Sequence, residues 1–318
     1  MAPGSADLDF AIVDVFTRTG YEGNPLAIVC VPKSCILSQD QKQKVAREFN
    51  LSETTFLHEQ ETEQLEWTVD IFMTNAEIPF AGHPTIGTAC YILSSIAKQR
   101  GVTSKVEGLF HFKAGPVGLR YDVATKAAAA EIPHNVHTHA RVISREEVLE
   151  LQPHLKEPYH HGQIGFGDKF PVVSIVKGMS FVLVELESLD VLRRITVTGS
   201  HLSTDGLDPE WDQTFLGLYF FVRTGKSEEG ATTLRTRMIE RTLEDPATGS
   251  AASDLAAHLS LTEGSNGETL DYEITQGVEM GRRSDIKIRV VLGKSCVEKI
   301  VLGGSAVQIM KGQLTVEN

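Results

Sequence analysis

Short apolar runs bounded by glycine, proline and asparagine recur along most of the chain, and they predict a sheet-rich protein with few helices. The runs LDFAIVDVF and NPLAIVCVP, separated by the turn-forming RTGYEGNP, read as the first two strands. Strand character returns in LSETTFLHE and LEWTVDIFMT, then in GLFHFKAGPVGLRYDV and AAAAEIPH. The middle of the chain continues with FPVVSIV, SFVLVELES, LGLYFFVRT and TTLRTRMI, and the last part reads as LDYEITQG, SDIKIRVVLG, CVEKIVLGG and AVQIMKGQLTV. Among these runs, LSQDQKQKVAREFN predicts a surface helix capped by Ser38, with Asp40 in its first turn and Arg47 near its end. SREEVLELQPHL and SLDVLRRI predict two shorter ones.

Two segments break this pattern. EIPFAGHPTIGTACYIL, Glu77 to Leu93, and EDPATGSAASDLAAHL, Glu244 to Leu259, each predict a helix reached through an acidic residue, a proline and a glycine. Their apolar residues, such as Ile86, Ala89, Leu93 and Ala251, Leu255, Leu259, are not confined to one stripe, and a helix apolar nearly all round is enclosed by protein. The first is expected to run from Pro84, at the first helical position, to Gly101. Gly82 and Gly249 lie 167 positions apart in 318 residues, so an internal repeat is the economical reading. An α+β fold follows: two similar domains, each a curved sheet or barrel around its own central helix. The length also suits two cores better than one. The expected domains are residues 1–130, completed by a last strand at 305–318, and residues 131–304, meeting near EIPHNVHTHAR.

The helix starts carry the candidate chemistry. The glycine admits close approach of a ligand to the backbone, and the first N–H groups of a helix attract anions. One such turn is an ordinary way for a strand to become a helix, but two at half-chain spacing predict opposed walls of one site. There they hold a carboxylate and stabilise enolate-like charge. In NLSETTFL, a continuous strand would put Leu51, Glu53, Thr55 and Leu57 on one face, leaving the Glu53 carboxyl among apolar neighbours with a raised pKa suited to proton transfer.

Charge and composition narrow the partners. The net charge of -12, from 42 acidic and 30 basic residues, disfavours nucleic acid and anionic membranes, which are held by clustered cations. Absence of a basic start with a long apolar run predicts a soluble, cytoplasmic protein. Cys30, Cys35, Cys90 and Cys296 lack paired spacing and read as free thiols. His134, His137, His139, His160 and His161 lack an established ligand pattern and read as a polar linker, so no metal is expected. Arg282 and Arg283 read as solvated loop residues, and the glycine-rich GQIGFGDKF lacks the ending and the helix of a phosphate loop.

The set DVFTRTGYEGNPLAIV, AREFNLSETTF, FAGHPTIGTA, EDPATGSAA and QGVEMGRRS, in this order over nearly the whole chain, resembles the PhzF family of phenazine biosynthesis-like proteins, which share the fold of diaminopimelate epimerase. The resemblance implies an isomerase that uses neither metal nor cofactor. In that family a glutamate of the NLSET motif takes a proton from C3 of trans-2,3-dihydro-3-hydroxyanthranilate and returns one at C1, after which the product tautomerises. By motif that glutamate is Glu53. The same comparison makes His83 and Asp245 the residues that orient or relay protons. It makes Gly82, Gly249 and Ser250 the holders of a small carboxylate substrate. The related amino-acid epimerases carry an opposed cysteine in each helix-start motif. Here Ala81 precedes Gly82 and the second turn reads PATGS, so proton relocation by one base is expected. Arg283 stands where the family usually shows proline. Closure of the two expected domains on substrate would exclude water, and the resemblance further implies a homodimer. Another proton-transfer enzyme on the same scaffold, such as an epimerase, a lyase or a rearrangement catalyst, and a non-catalytic small-molecule-binding protein are the competing readings. Glu53, His83, Asp245 and Ser250 together favour chemistry.

Overall fold

The computed structural model describes residues 5–60 and 64–317. Residues 1–4, 61–63 and 318, which the expected first domain includes, lie outside the described residues. The chain forms two units, Met1–Ile132 with Leu302–Asn318, and Pro133–Val301.

In the first unit the elements are β1 (Ser5–Val15), β2 (Asn24–Val31), α1 (Gln39–Phe49), β3 (Thr54–His58), β4 (Glu66–Phe72), β5 (Glu77–Ile78), α2 (Gly82–Arg100), β6 (Lys105–Phe112), β7 (Gly115–Asp122) and β8 (Ala127–Glu131). The second unit contains β9 (His137–Ser144), α3 (Arg145–Leu151), α4 (Lys156–His160), β10 (Lys169–Val176), β11 (Met179–Glu185), α5 (Leu189–Arg194), β12 (Phe215–Lys226), β13 (Thr232–Glu240), β14 (Leu243–Asp245), α6 (Gly249–Glu263), β15 (Thr269–Gln276) and β16 (Ser284–Leu292). Strand β17 (Val297–Glu317) begins in the second unit and ends in the first.

In the first unit the order β1, β2, β3, β4, β6, β7, β8 closes through β17, which pairs with both β8 and β1. This closed barrel has α2 packed against β1, β2, β3, β6, β7 and β8. The residues explain the enclosure: Ile86, Ala89 and Leu93 are fully buried. Gly87 lets the helix touch the sheet, since a Cβ there would lie 2.6 Å from Val15 Cγ2 and 2.7 Å from Leu26 Cδ2.

The second unit repeats the connectivity. The β1–β2, β3–β4 and β6–β7 pairs are antiparallel while β2–β3 and β4–β6 are parallel. Correspondingly, β10–β11, β12–β13 and β15–β16 are antiparallel while β11–β12 and β13–β15 are parallel. Even the short strands agree, with Phe72 opposite Glu77 and Ile239 opposite Glu244, each member displaced by the 167 residues that separate the glycines. Helix α6 packs against β10, β11, β15 and β16. The expected α+β architecture with a central helix in each half is therefore present.

The surface helices follow their capping signals. Ser38 and Gln41 form a capping box on α1, and Ser144 and Glu147 form another on α3. Three sequence expectations need correction. CVEKIVLGG and AVQIMKGQLTV are one strand, because Gly303, Gly304 and Ser305 continue the ladder instead of turning. Gly304 serves packing: a Cβ there would lie 2.3 Å from Phe16 Cδ1. Phe16 is wholly buried with φ 63°, and its N–H donates to Ser305 O at 2.7 Å. Helix α2 starts at Gly82, two residues before the expected Pro84; proline is tolerated there because the first turn requires no N–H donor from it. His137 and His139 belong to β9, with His139 buried, and are not part of a polar linker.

Among the described residues no helix is long and apolar enough to cross a membrane.

Candidate active site

Helix α1 ends at Asn50, whose left-handed φ of 51° turns the chain sharply into Leu51, Ser52 and Glu53. Glu53 immediately precedes β3, so it stands at the strand's mouth and not within it as the alternation had suggested. The hydroxyls of Thr55 on β3 and Thr88 on α2, both buried, meet at 3.0 Å and fasten strand to helix. This brings the Glu53 carboxylate to 3.5 Å from Nδ1 of His83, the second residue of α2. Side-chain exposure is only 17% for Glu53 and 6% for His83. Burial pushes the Glu53 carboxyl up to about 7, against an opposing hydrogen bond from Ser52. Its Oε2 has no hydrogen-bond partner. Such a carboxyl takes and gives a proton near neutrality.

In the second unit, Asp245 ends β14 and pairs with Met238. Thr248, the N-cap residue of α6, donates its hydroxyl to Asp245 Oδ2 at 2.6 Å. Gly249 is buried as the first helical residue, and Ser250 beside it is half-buried. The acidic residue two positions before each proline, Glu77 or Glu244, is structural. Glu77 accepts from Lys113 Nζ at 2.9 Å, and Glu244 accepts a two-pronged Arg237 contact at 2.7 and 2.8 Å.

Neither central helix offsets its N-terminal dipole from within its own first turn. Neither α2 nor α6 has an acidic residue in its first turn or a side-chain cap, whereas α1, α3, α4 and α5 each carry an acid there. The ends at Gly82 and Gly249 are thus of the kind that attracts an anion.

The structure brings Glu53 and His83 together in the first unit, and Asp245, Gly249 and Ser250 together in the second. Two contributors were missed. Gln276 is fully buried. Its Oε1 accepts from Tyr219 OH at 3.1 Å and Thr248 N–H at 3.3 Å. Its Nε2 donates to Asp245 O at 2.8 Å and Thr248 Oγ1 at 3.0 Å. The next residue, Gly277, has φ 74°, and a Cβ there would lie 2.6 Å from Pro246 O. The QG pair therefore holds the DPATGS turn, a role that was visible only as a motif fragment. Gln276→Leu is expected to destabilise the fold by about 1–3 kcal/mol because it strands buried polar groups; a urea titration with unchanged m reads it out.

Asp254 was also unremarked. It sits one turn beyond Ser250 on α6, with 0% exposure and no hydrogen-bond partner for either carboxylate oxygen. Burial pushes its pKa far up.

The histidine group is accounted for by hydrogen bonding. His137, His139 and Asp208 bring ligand-type atoms within 4.8 Å of one another. His139 Nδ1 accepts from Asp208 N–H at 3.2 Å, which leaves Nε2–H to donate to Ser174 Oγ at 2.9 Å. Both ring nitrogens are committed, and Asp208 pairs with His137 Nε2 at 2.7 Å. His134 contacts Val297 O at 3.3 Å. Arg283 pairs with Asp285, and the GQIGFGDKF segment leads into strand β10 without a helix. Cys90 is buried and pushed up to about 12 by desolvation, so its thiol is not a base near neutrality.

Comparison with known proteins adds four findings. A family profile described as phenazine biosynthesis-like protein matches residues 13–312. The chain is 32% identical to an uncharacterized isomerase of Mesorhizobium japonicum, covering 97% of this chain and 99% of the relative. It is 29% identical to the trans-2,3-dihydro-3-hydroxyanthranilate isomerase of Pseudomonas aeruginosa, covering 96% and 98%. Its fold matches a Bacillus anthracis phenazine biosynthesis protein of the PhzF family with a TM-score of 0.74 at 20% identity, over 97% and 99% of the two chains.

Proposed function

Because the chain belongs to the phenazine biosynthesis-like protein family, we propose that it is an isomerase that relocates a proton on a small cyclic amino or hydroxy acid. The observation that carries this reading is the buried Glu53 carboxyl, raised to about 7 and 3.5 Å from His83. In its ionised form Glu53 removes a proton from a carbon next to an unsaturated or carboxyl-bearing centre, and in its protonated form it returns that proton elsewhere on the same skeleton. A carboxyl with a pKa near the working pH serves both steps, since neither form is scarce. His83 orients Glu53 and passes protons, and Asp245 does the same for the second motif. Gly82 in the first unit, and Gly249 and Ser250 in the second, are the groups assigned to carboxylate binding, each at the start of a helix with no acidic residue in its own first turn.

The relatives include an isomerase named for trans-2,3-dihydro-3-hydroxyanthranilate, and that compound is the first substrate to try. The reading asks no metal or cofactor of these residues, and a soluble cytoplasmic homodimer is the proposed state. The test is NMR in D2O with that compound and a panel of small cyclic amino and hydroxy acids. Deuterium entering a C–H position is expected, with kcat/KM rising as pH climbs through about 7, where Glu53 becomes a base. A folded protein that binds members of the panel without exchanging any C–H proton would favour the binding-protein reading and sink this one.

A further inference from the structure

The far half of α2 borders a cavity that the proposed chemistry does not use. Its volume is about 390 Å³, and its walls include Cys30, Glu59, Trp67, Tyr91 and Gln308. Tyr91 lies eight residues beyond His83, about 12 Å further along the helix at 1.5 Å per residue. The Cys30 thiol is 3.7 Å from the Tyr91 hydroxyl.

The internal repeat shows what is unusual here. Residues 167 positions after Tyr91, Ile92 and Ser95 are His258, Leu259 and Thr262, and these line a corresponding cavity in the second unit. The strand register agrees. Cys30 pairs with Leu57 on β2 and β3, and Glu185 pairs with Phe221 on β11 and β12. Two residues beyond Leu57 and Phe221 stand Glu59 and Arg223. In the second unit the protein supplies its own cation. Arg223 donates to Glu185 at 2.8 Å and to both oxygens of Glu263 at 2.6 and 3.1 Å. In the first unit the position of Arg223 is taken by a carboxylate, and Glu59 has no ion pair among the described residues.

The local field is negative. Burial raises the Cys30 thiol most, the Tyr91 hydrogen bond opposes it, and Asp9 and Glu59 raise it further; burial likewise pushes Tyr91 up to about 12, with Cys30 and then Asp9 adding to it. No lysine or arginine figures among these influences. A cavity lined by two aromatic side chains and a carboxylate suits a cation that carries an apolar body.

We propose that this cavity is a second ligand site, for a small organic ammonium ion whose charge meets Glu59 and whose apolar part lies against Trp67 and Tyr91. The repeat thus holds a built-in guanidinium in one half and takes an exchangeable cation in the other.

Trp67 and Trp211 are the only two tryptophans, so Trp211→Phe leaves Trp67 as the reporter. The full-length variant is titrated with phenethylammonium, with neutral 2-phenylethanol and with phenylacetate, following tryptophan fluorescence. Saturable binding of the amine is expected, about tenfold or more tighter than either isostere. Adding Glu59→Gln, an exposed position that leaves the fold intact, is expected to bring the amine down to the alcohol's level. Adding Glu53→Gln instead is expected to leave amine binding unchanged, which separates this site from the proposed catalytic one. Equal binding of amine and alcohol, an affinity indifferent to Glu59→Gln, no saturation by ~10 mM amine, or loss of the amine signal on Glu53→Gln would each overturn the proposal.

Discussion

Glu53→Gln is expected to abolish proton relocation and, at the same time, to make the protein more stable at neutral and higher pH. Loss of a positioned general base costs about 10²–10⁴-fold in rate. The stability gain follows from linkage. The folded carboxyl titrates at about 7, above its ordinary value of 4.5, so the folded state binds a proton more tightly than the unfolded chain. Stability from this group is complete in acid and is lost as pH rises from 4.5 through 7. At 1.36 kcal/mol per pKa unit the loss amounts to about 3 kcal/mol by pH 8. A glutamine never ionises and avoids it. Paired urea titrations of wild type and variant, near pH 4 and near pH 8, check this: the curves should coincide in acid and diverge in base. Identical curves at the higher pH would show that the fold does not penalise the ionised carboxylate. Persistent turnover in the variant would remove Glu53 from the mechanism.

Asp254→Asn is expected to raise stability above pH 4 by an amount that grows with pH. Asp254 has neither exposure nor a partner, and its ordinary pKa is 3.8. While it stays protonated in the fold and ionised in the unfolded chain, each pH unit above that value removes about 1.4 kcal/mol of stability. Asparagine keeps the shape and the polarity but has no proton to lose, so its pH profile should be flatter by this slope. Wild-type and variant profiles of equal slope would mean that the carboxylate finds a partner inside the fold. A protein that keeps two penalised carboxyls has stability to recover at both sites, but only the change at Glu53 is expected to cost function.

Much of this was legible because the relevant signals are local. Strands such as β16 alternate in and out of the core residue by residue, and the two central helices announce themselves by being apolar on every side. The helix starts at Gly82 and Gly249 stood out because the same unusual spelling occurs twice. Glu53 was nameable from its motif and its raised pKa was expected from burial, but what buries it was not legible. Its burial comes from the turn at Asn50 and from the clasp between Thr55 and Thr88, which are neighbours only after folding. Gln276 escaped for a different reason. An amide has no charge to titrate and no nucleophile to suspect, and its importance rests entirely on what surrounds it. Asp254 went unremarked because a single carboxylate among small residues belongs to no motif and is ordinarily solvent-facing. The histidines of β9 were misread as linker because their organising partner, Asp208, is more than sixty residues away.

Strand β17 has a consequence for how the molecule comes into being. During synthesis the first seven barrel strands, β1 to β4 and β6 to β8, leave the ribosome with the eighth still unmade, and they cannot close until residues beyond 301 emerge. At the usual pace of translation, about 5–20 residues per second, the wait is on the order of ten seconds or more. Throughout it, β1 and β8 present unpaired backbone edges of the kind that recruits strands from other chains. The Pro133–Val301 unit, continuous in sequence, has its own residues in hand earlier. The half that begins first is therefore the one finished last, and its nascent edges are where chaperone protection matters most.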